Sequence, residues 1–304
     1  MSELTRKVYL PPEIADAAKA GNLVLFVGAG VSRLVGLPAW DGLAKYVLED
    51  IRKKGFLNYF EIQYLEKLDP KKQLSIADII AKENKFKLDF KKYLIPPESE
   101  CKIYEYVNSI GCSYVTTNYD DLIKPFLMEN EKETPSETKR IYHKEKMLAG
   151  VLNERSVVVH LHGFMEDRDS MVVTAREYLE HYENANVQQF LGELFAKKTV
   201  LFIGYGLEEA EILEHILRRG SVGSESERKR FLIDGFFGAE QSLYSQLESY
   251  YNKSFGVHLI GFIRDNEDYR GLETMLRSWK DEIEVRDTLL TEDYDFLVRT
   301  LKDE

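Results

Sequence analysis

The 304-residue chain has only two cysteines, Cys101 and Cys112. They form no Cys-x-x-Cys pair, and two thiols are too few for a four-cysteine zinc site or a disulfide framework. No apolar run approaches the ~20 residues that a membrane-spanning helix needs, and residues 1–7 lack the apolar segment of a signal peptide. We therefore expect a cytoplasmic protein with reduced thiols and no bound metal.

Positive charge is also in short supply. The chain has 41 Lys and Arg against 52 Asp and Glu, which gives a formal net charge of -11. Proteins that bind nucleic acids through their overall field are normally basic, and an anionic membrane surface repels a negative protein. We expect no membrane contact and no direct nucleic-acid binding. The 44% apolar and 31% charged residues are typical of a soluble domain with a core.

Short apolar runs alternate with helical patterns along most of the chain. Continuous β-branched runs are typical of parallel strands that are covered on both faces, and strand–helix alternation indicates an α/β domain. Thr174 and Glu177 form a capping-box pattern, which predicts a helix starting near Ala175. We predict a Rossmann-like, mainly parallel sheet flanked by helices. Its strands are expected at 23–27, 114–116, 157–161, 199–203, 231–233 and 257–260.

The alternation stops between about 41 and 108, where we find helical patterns and no convincing strand. This segment predicts a helical insertion after the first βα unit, without a zinc module. We expect one domain over 1–304, with the Rossmann-like core at about 20–38 and 109–262. Helices are expected at about 267–304, including an amphipathic helix over 287–304, and an exposed loop at 221–227.

Two glycine-containing turns follow predicted strands. In Gly28-Ala29-Gly30-Val31-Ser32 the glycines allow a tight turn and a close approach of the backbone to a pyrophosphate. The pattern is incomplete, because Arg33 stands where a dinucleotide fingerprint has its third glycine. The second turn is Gly204-Tyr205-Gly206, which would suit an adenosine or a phosphate. A turn without a ligand explains either pattern equally well.

Polar side chains follow the strand at 114–116, in Thr116-Thr117-Asn118-Tyr119-Asp120. Ligands of open α/β sheets bind at the carboxyl ends of strands. Asn118 offers a donor and an acceptor to ribose hydroxyls or to a water, and Asp120 offers an acceptor to a carboxamide. The alternative is that Asn118 and Asp120 only cap the next helix.

Two histidines mark the end of another strand, in His160-Leu161-His162-Gly163. Because they flank Leu161 at strand spacing, we expect them to point to opposite faces, so that only one can face a ligand. His162 is nearer the strand end and is the better candidate for a general base. A structural histidine is the alternative. We expect no metal here, since no cysteine or acidic ligand is near.

In this order, the four motifs resemble those of the sirtuin family, over residues 28 to about 234. The resemblance implies NAD+ binding, with the first turn at the phosphates and His162-Gly163 as the catalytic His-Gly pair. Two departures separate the chain from sirtuin deacetylases. Gly36-Leu37-Pro38-Ala39-Trp40 replaces their Gly-Ile-Pro-Asp-Phe-Arg stretch, and their four-cysteine zinc module is absent from this sequence.

The Thr-Thr-Asn-Tyr-Asp and Gly-Tyr-Gly-Leu motifs look instead like those of sirtuin-like NAD-hydrolysing domains of bacterial anti-phage defence. This resemblance implies an NAD+ glycohydrolase that depletes NAD+ in abortive infection. The expected catalytic residues are Asn118, which orients the ribose and a water, and His162. The expected NAD-binding residues are Gly28, Ala29, Gly30, Ser32, Thr117, Asp120, Gly204, Tyr205, Gly206 and Asp234.

Other functions stay open at this point. The same site would serve a protein deacylase, an ADP-ribosyltransferase or a module that only senses NAD+ or ADP-ribose. A constitutive NADase would kill its host, so we expect control by assembly. The partner would be further copies of this chain or a HerA-type ATPase, unless the chain is the enzymatic fragment of a longer protein.

Overall fold

The computed structural model describes residues 4, 8–110, 112–125, 138–148, 150–154, 157–207, 209–219, 229–265 and 268–283. All six predicted strands are present, and a two-residue strand at Arg140–Ile141 was missed because it is too short to form a pattern. The strands are Leu23–Val27 (β1), Ser113–Thr116 (β2), Arg140–Ile141 (β3), Val158–His160 (β4), Thr199–Ile203 (β5), Arg230–Phe236 (β6) and His258–Ile263 (β7).

The strands form one sheet in the order β3-β4-β2-β1-β5-β6-β7, and every neighbouring pair is parallel. The predicted Rossmann-like parallel sheet is therefore confirmed. From β1 the chain first builds the half of the sheet that starts at β2, and then crosses to β5 on the other side. Val27 at the end of β1 lies opposite Thr116 of β2 and Ile203 of β5. These three carboxyl ends frame the switch point where ligands of such sheets bind.

Helices cover both faces of the sheet. Single 3-10 turns lie at Lys91–Tyr93, Lys144–Lys146, Val151–Asn153, Arg168–Ser170, Gly238–Glu240 and Asp268–Arg270, and residues 271–283 are helical. The α-helices with both ends described are Pro12–Lys19 (α1), Ala29–Leu34 (α2), Trp40–Lys53 (α3), Tyr59–Leu65 (α4), Pro70–Glu83 (α5), Ile103–Ser109 (α6), Ala175–Tyr182 (α7), Ala185–Lys197 (α8), Ala210–Arg219 (α9) and Gln241–Phe255 (α10).

The side chains of β1 show how the two faces are buried. Val24 and Phe26 belong to the core beneath α7, α8 and α9, whereas Leu23, Leu25 and Val27 belong to the core beneath α1, α6 and residues 271–283. Successive side chains of a strand point to opposite faces. A continuous apolar run is therefore what a strand between two helical layers requires.

The helical insertion follows the first βα unit, as predicted. Between β1 and β2, helices α3, α4 and α5 pack around their own apolar core, which includes Leu48 and Leu74. Tyr119 and Met171 belong to the same core, so the insertion is packed onto the loops after β2 and β4. These helices also have local start signals, since Asn58 forms a capping box with Glu61 at α4.

Helix α7 begins where its sequence predicted. Thr174 accepts a hydrogen bond from the backbone N–H of Glu177, whose carboxylate accepts from the N–H of Thr174. The predicted loop at 221–227 and the predicted helix at 287–304 lie outside the described residues. Within the described part of the chain, no helix is both long and apolar enough to cross a bilayer.

Candidate active site

A cleft opens beside the carboxyl ends of β1 and β2. Its volume is about 360 Å³ including the open solvent at its mouth. The predicted site residues on its wall come from α2 and from the segment after β2, and the opposite wall comes from the start of the helical insertion. The lining residues are Ala29, Ser32, Leu37, Pro38, Ala39, Trp40, Leu43, Leu94, Thr117, Asn118, Tyr119 and Asp120.

Hydrogen bonds to the first glycine turn, to α2 and to the end of β2 hold Asn118 in a single orientation. Its side-chain Nδ2 donates to the backbone oxygen of Gly28 over 3.1 Å and to Ser32 Oγ over 2.9 Å. Its backbone N–H donates to Thr116 Oγ1, which in turn donates to the Val27 carbonyl. Both amide hydrogens are used inside the protein. The side-chain Oδ1 accepts no hydrogen bond from the described residues and is therefore the atom left to accept from a ligand in the cleft.

Ser32 is the centre of this network. Its hydroxyl donates to Asp120 Oδ2 over 2.8 Å, accepts from Asn118, and lies 2.8 Å from the hydroxyl of Tyr104. A serine hydroxyl has one hydrogen and two acceptor positions, so all three are occupied. We predicted a direct phosphate contact for Ser32, whereas its contacts here orient Asn118. Tyr104 on α6 was missed, because its position in an apolar helix face indicates only a core residue.

Asp120 is a buried carboxyl group at the cleft. Burial raises its pKa to about 6, against the opposing effect of hydrogen bonds from Ser32 and from the backbone N–H of Leu122. Each carboxylate oxygen accepts one of these two hydrogen bonds and can accept another, so Asp120 retains acceptor capacity for a ligand. Thr117, its neighbour on the cleft wall, is also buried. A raised carboxyl pKa in a cleft is typical of functional sites.

The glycines of the two predicted turns pack against each other. The Gly30 N–H donates to the Gly204 oxygen over 2.8 Å, and a Cβ on Gly28 would lie 2.4 Å from that same oxygen. Gly204 also has a φ of +57°, which disfavours any side chain. Close packing between the loops after β1 and β5 thus accounts for these glycines. Their phosphate contact stays a prediction.

The two histidines face different surroundings, but the reason we gave for this was wrong. Residues two apart in one strand share a face. Here β4 ends at His160, so His162 lies in the following turn. His160 Nδ1 donates to the backbone oxygen of Asn118 over 3.1 Å. It therefore supports the backbone of Asn118, a role that we did not predict.

His162 is enclosed by aromatic side chains from α3 and α7. Its Nε2 lies 2.8 Å from the Tyr182 hydroxyl and its Nδ1 lies 3.2 Å from the Tyr178 hydroxyl. Tyr178 and Tyr182 are four residues apart, so they share one face of α7. Burial, followed by the charges of His181 and Lys71, lowers the pKa of His162 well below its usual value. The imidazole is therefore neutral in these surroundings.

We expected His162 to lie on the cleft wall beside Asn118. In the structure it is not among the lining residues. The His162 side chain is 0% exposed. Trp40 lines the cleft, and its ring centroid lies 6.5 Å from that of His162 and 5.8 Å from that of Tyr178. Trp40 is thus the residue that joins the cleft to the histidine.

The remaining predicted residues lie at different distances from the cleft. Tyr205 packs in the core against Phe26, with 4.8 Å between ring centroids, and Gly206 is exposed. Asp234 is on β6, two strands away from β1, and its Oδ1 accepts from the N–H of Gly235. The described contacts do not bring Asp234 to the cleft. Across the described ranges, no group of three or more His, Cys, Asp or Glu side chains is arranged to hold a metal ion.

Comparison with known protein families agrees with this geometry. Residues 113–260 match the model of the SIR2-like domain family. This match covers just under half of the chain and shows that residues 113–260 are similar to SIR2-like domains. The resemblance drawn from the four motifs is therefore confirmed. The matched part of the SIR2-like domain runs from β2 into β7 and includes Asn118, Asp120, His162 and Gly204.

Three curated proteins are similar to this chain at modest identity. Defense-associated sirtuin 2 of Bacillus subtilis is 28% identical over 66% of this chain and 19% of its own length. The NAD(+) hydrolases ThsA of Enterococcus faecium and of Bacillus cereus (strain MSX-D12) are each 26% identical over 69% of this chain and 42% of their own length. The matched part thus spans less than half of each relative.

Proposed function

We propose that this chain is an NAD+ glycohydrolase that cleaves the nicotinamide–ribose bond to give nicotinamide and ADP-ribose. The observation that carries the proposal is the fixed amide of Asn118, whose Oδ1 is left for a ligand at the switch point of a parallel sheet. The relatives named NAD(+) hydrolase support the same reaction.

In this proposal the pyrophosphate lies along the turn of Gly28, Ala29 and Gly30, and the nicotinamide ribose lies at Asn118. Asn118 Oδ1 accepts a hydrogen bond from a ribose hydroxyl, and Asp120 accepts one from the carboxamide. As nicotinamide leaves, C1′ becomes cationic, and oriented polar groups stabilise the developing charge and aim a water at it. The adenosine lies towards the turn after β5, which is adjacent to β1.

The neutral His162 is the general base for the ribose hydroxyl or the water. Because its side chain is fully buried next to Trp40, the reaction requires Trp40 to move. General base catalysis typically contributes about 10²–10⁴-fold, so we expect His162→Ala to lose most of the turnover.

The direct test is incubation of the purified chain with NAD+ alone, with nicotinamide and ADP-ribose measured by chromatography. We expect acceptor-free release of both products, and loss of turnover in Asn118→Ala. Asn84→Ala is the control, since among the described residues the exposed Asn84 side chain bonds to Ile80 of the helix before it. Product only in the presence of an acylated peptide or a protein acceptor would instead indicate a deacylase or an ADP-ribosyltransferase. Tight NAD+ binding without product in any assembly state would indicate a sensing module.

We also propose that the activity depletes the cytoplasmic NAD+ pool in anti-phage defence and leads to abortive infection. The relative named defense-associated sirtuin supports this role. Control would come from assembly, either with further copies of the chain or with a HerA-type ATPase. NAD+ turnover per subunit should then rise with protein concentration, in step with the mass measured by light scattering. A constant turnover per subunit from monomer to oligomer would contradict control by self-assembly.

A further inference from the structure

A chain of hydrogen bonds leads from His162 to the carboxyl group of Glu209, which no sequence motif indicated. The Tyr182 hydroxyl lies 2.8 Å from His162 Nε2 and donates to Glu209 Oε2 over 3.1 Å. Glu209 Oε2 also lies 3.5 Å from His162 Nε2 itself. Glu209 directly precedes α9, and its backbone oxygen accepts from the N–H of Leu213.

The directions of these bonds define the tautomer of the histidine. Tyr182 has one hydroxyl hydrogen, which it gives to Glu209, so it must accept from His162 Nε2–H. In a neutral imidazole the other nitrogen is then an acceptor. Nδ1 consequently accepts from Tyr178, and it is the atom that would take a proton during a reaction.

Glu209 links this buried chain to solvent. Its side chain is 17% exposed, whereas that of His162 is fully buried. Burial is the largest influence on Glu209 and raises its pKa to about 7, and the nearby Glu211 acts in the same direction. The positive charge of Lys71 and hydrogen bonds from the Tyr182 and Tyr205 hydroxyls act in the opposite direction. Glu209 can therefore both take up and release a proton near neutral pH.

We propose that Glu209 is a positioning residue that acts on His162 through Tyr182 and receives the proton that hydrolysis releases. This inference rests on the proposed function. His162 Nδ1 takes the hydroxyl proton of Tyr178, and Tyr178 takes the proton of the attacking water or of the ribose hydroxyl. The Nε2 proton passes to Tyr182, and the Tyr182 proton passes to the Glu209 carboxylate. The water oxygen bonds to C1′, the bond to nicotinamide breaks, and Glu209 later releases the proton to solvent.

The variant Glu209→Gln separates proton transfer from packing, because the amide oxygen still accepts from Tyr182 but cannot take up its proton. We expect kcat to fall about 100-fold, at the lower end of general base effects, with KM nearly unchanged. The acid limb of the wild-type kcat profile, where Glu209 becomes protonated, should disappear. Tyr182→Phe should have the same effect, and the double variant should be no worse than either single one.

Glu180→Gln is the matched control. Glu180 is on α7 between the two tyrosines, but it is exposed and pairs with Arg176. It should keep the wild-type rate and pH profile. A Glu209→Gln enzyme with wild-type kcat and an intact acid limb would overturn the proposal.

A second measurement tests the relay without turnover. Nitrogen-15 NMR of histidine-labelled protein, with His162 assigned by its absence in His162→Gln, should show a proton on Nε2 and none on Nδ1. Its shifts should change with pH in step with a carboxyl titration that Glu209→Gln abolishes. A proton on Nδ1 would refute the relay even if the wild type hydrolyses NAD+. The expected tautomer and titration without nicotinamide release would support the relay and count against the proposed hydrolysis.

Discussion

Replacing Ser32 by alanine tests the network that orients Asn118. The substitution leaves an amide hydrogen of Asn118, the Tyr104 hydroxyl and Asp120 Oδ2 each without a partner. An orphaned buried polar group costs about 1–3 kcal/mol. Water from the cleft can reach Asn118 and Asp120, which line it, whereas Tyr104 is not among the lining residues. Counting one to two uncompensated groups, we expect Ser32→Ala to lower the free energy of unfolding by about 2–4 kcal/mol.

The loss should depend on pH in a defined direction. The hydrogen bond from Ser32 lowers the pKa of Asp120, so its removal raises a value that burial has already raised to about 6 from 3.8. A carboxyl group whose pKa is higher in the folded state destabilises the fold as pH rises through that window. Ser32→Ala should therefore destabilise the protein more at pH 8 than at pH 5.

Urea denaturation of wild type and variant at both pH values measures these differences. Ser109→Ala is the control, because within the described ranges the Ser109 hydroxyl bonds to the Tyr106 carbonyl of its own helix, and its effect should stay within about 0.5 kcal/mol. NAD+ turnover should fall with Ser32→Ala even under conditions where the variant is fully folded. If Ser32→Ala matched the control in stability, or if its effect were equal at both pH values, the network would not have the role described.

Three further predictions concern the surroundings of the network. Gly204→Ala should lower the free energy of unfolding by at least about 2 kcal/mol in urea melts, because the backbone is left-handed and a Cβ there would lie 2.5 Å from the Val31 nitrogen. Gly55→Ala, also left-handed but with open space around it, should cost less. Trp40→Leu should make His162 reactive towards diethylpyrocarbonate, as mapped by peptide mass, whereas wild-type His162 should be protected. Because burial raises the pKa of Glu209 from 4.5 to about 7, the wild type should lose about 3 kcal/mol of its free energy of unfolding as pH rises through that window. Glu209→Gln should remove this loss. Denaturation at pH 5 and pH 8 measures the difference.

Local patterns of the sequence were sufficient to determine the fold and the approximate place of the site. The apolar run of β1 requires cover on both faces, and α7 starts at its capping box. Parallel strands bring their carboxyl ends to one edge, so polar residues after β1 and β2 meet there whatever the details of packing. This reasoning located Asn118, Asp120 and the first glycine turn.

Only the tertiary structure decided how these groups are connected. The contacts of Ser32 with Tyr104 and Asp120, and of His162 with Tyr182 and Glu209, join residues that no local periodicity relates. The packing of Trp40 next to His162 depends on how the helical insertion sits on the loops after β2 and β4. Such contacts follow from the shapes of packed side chains, whereas sequence patterns report only the burial and spacing of each element by itself.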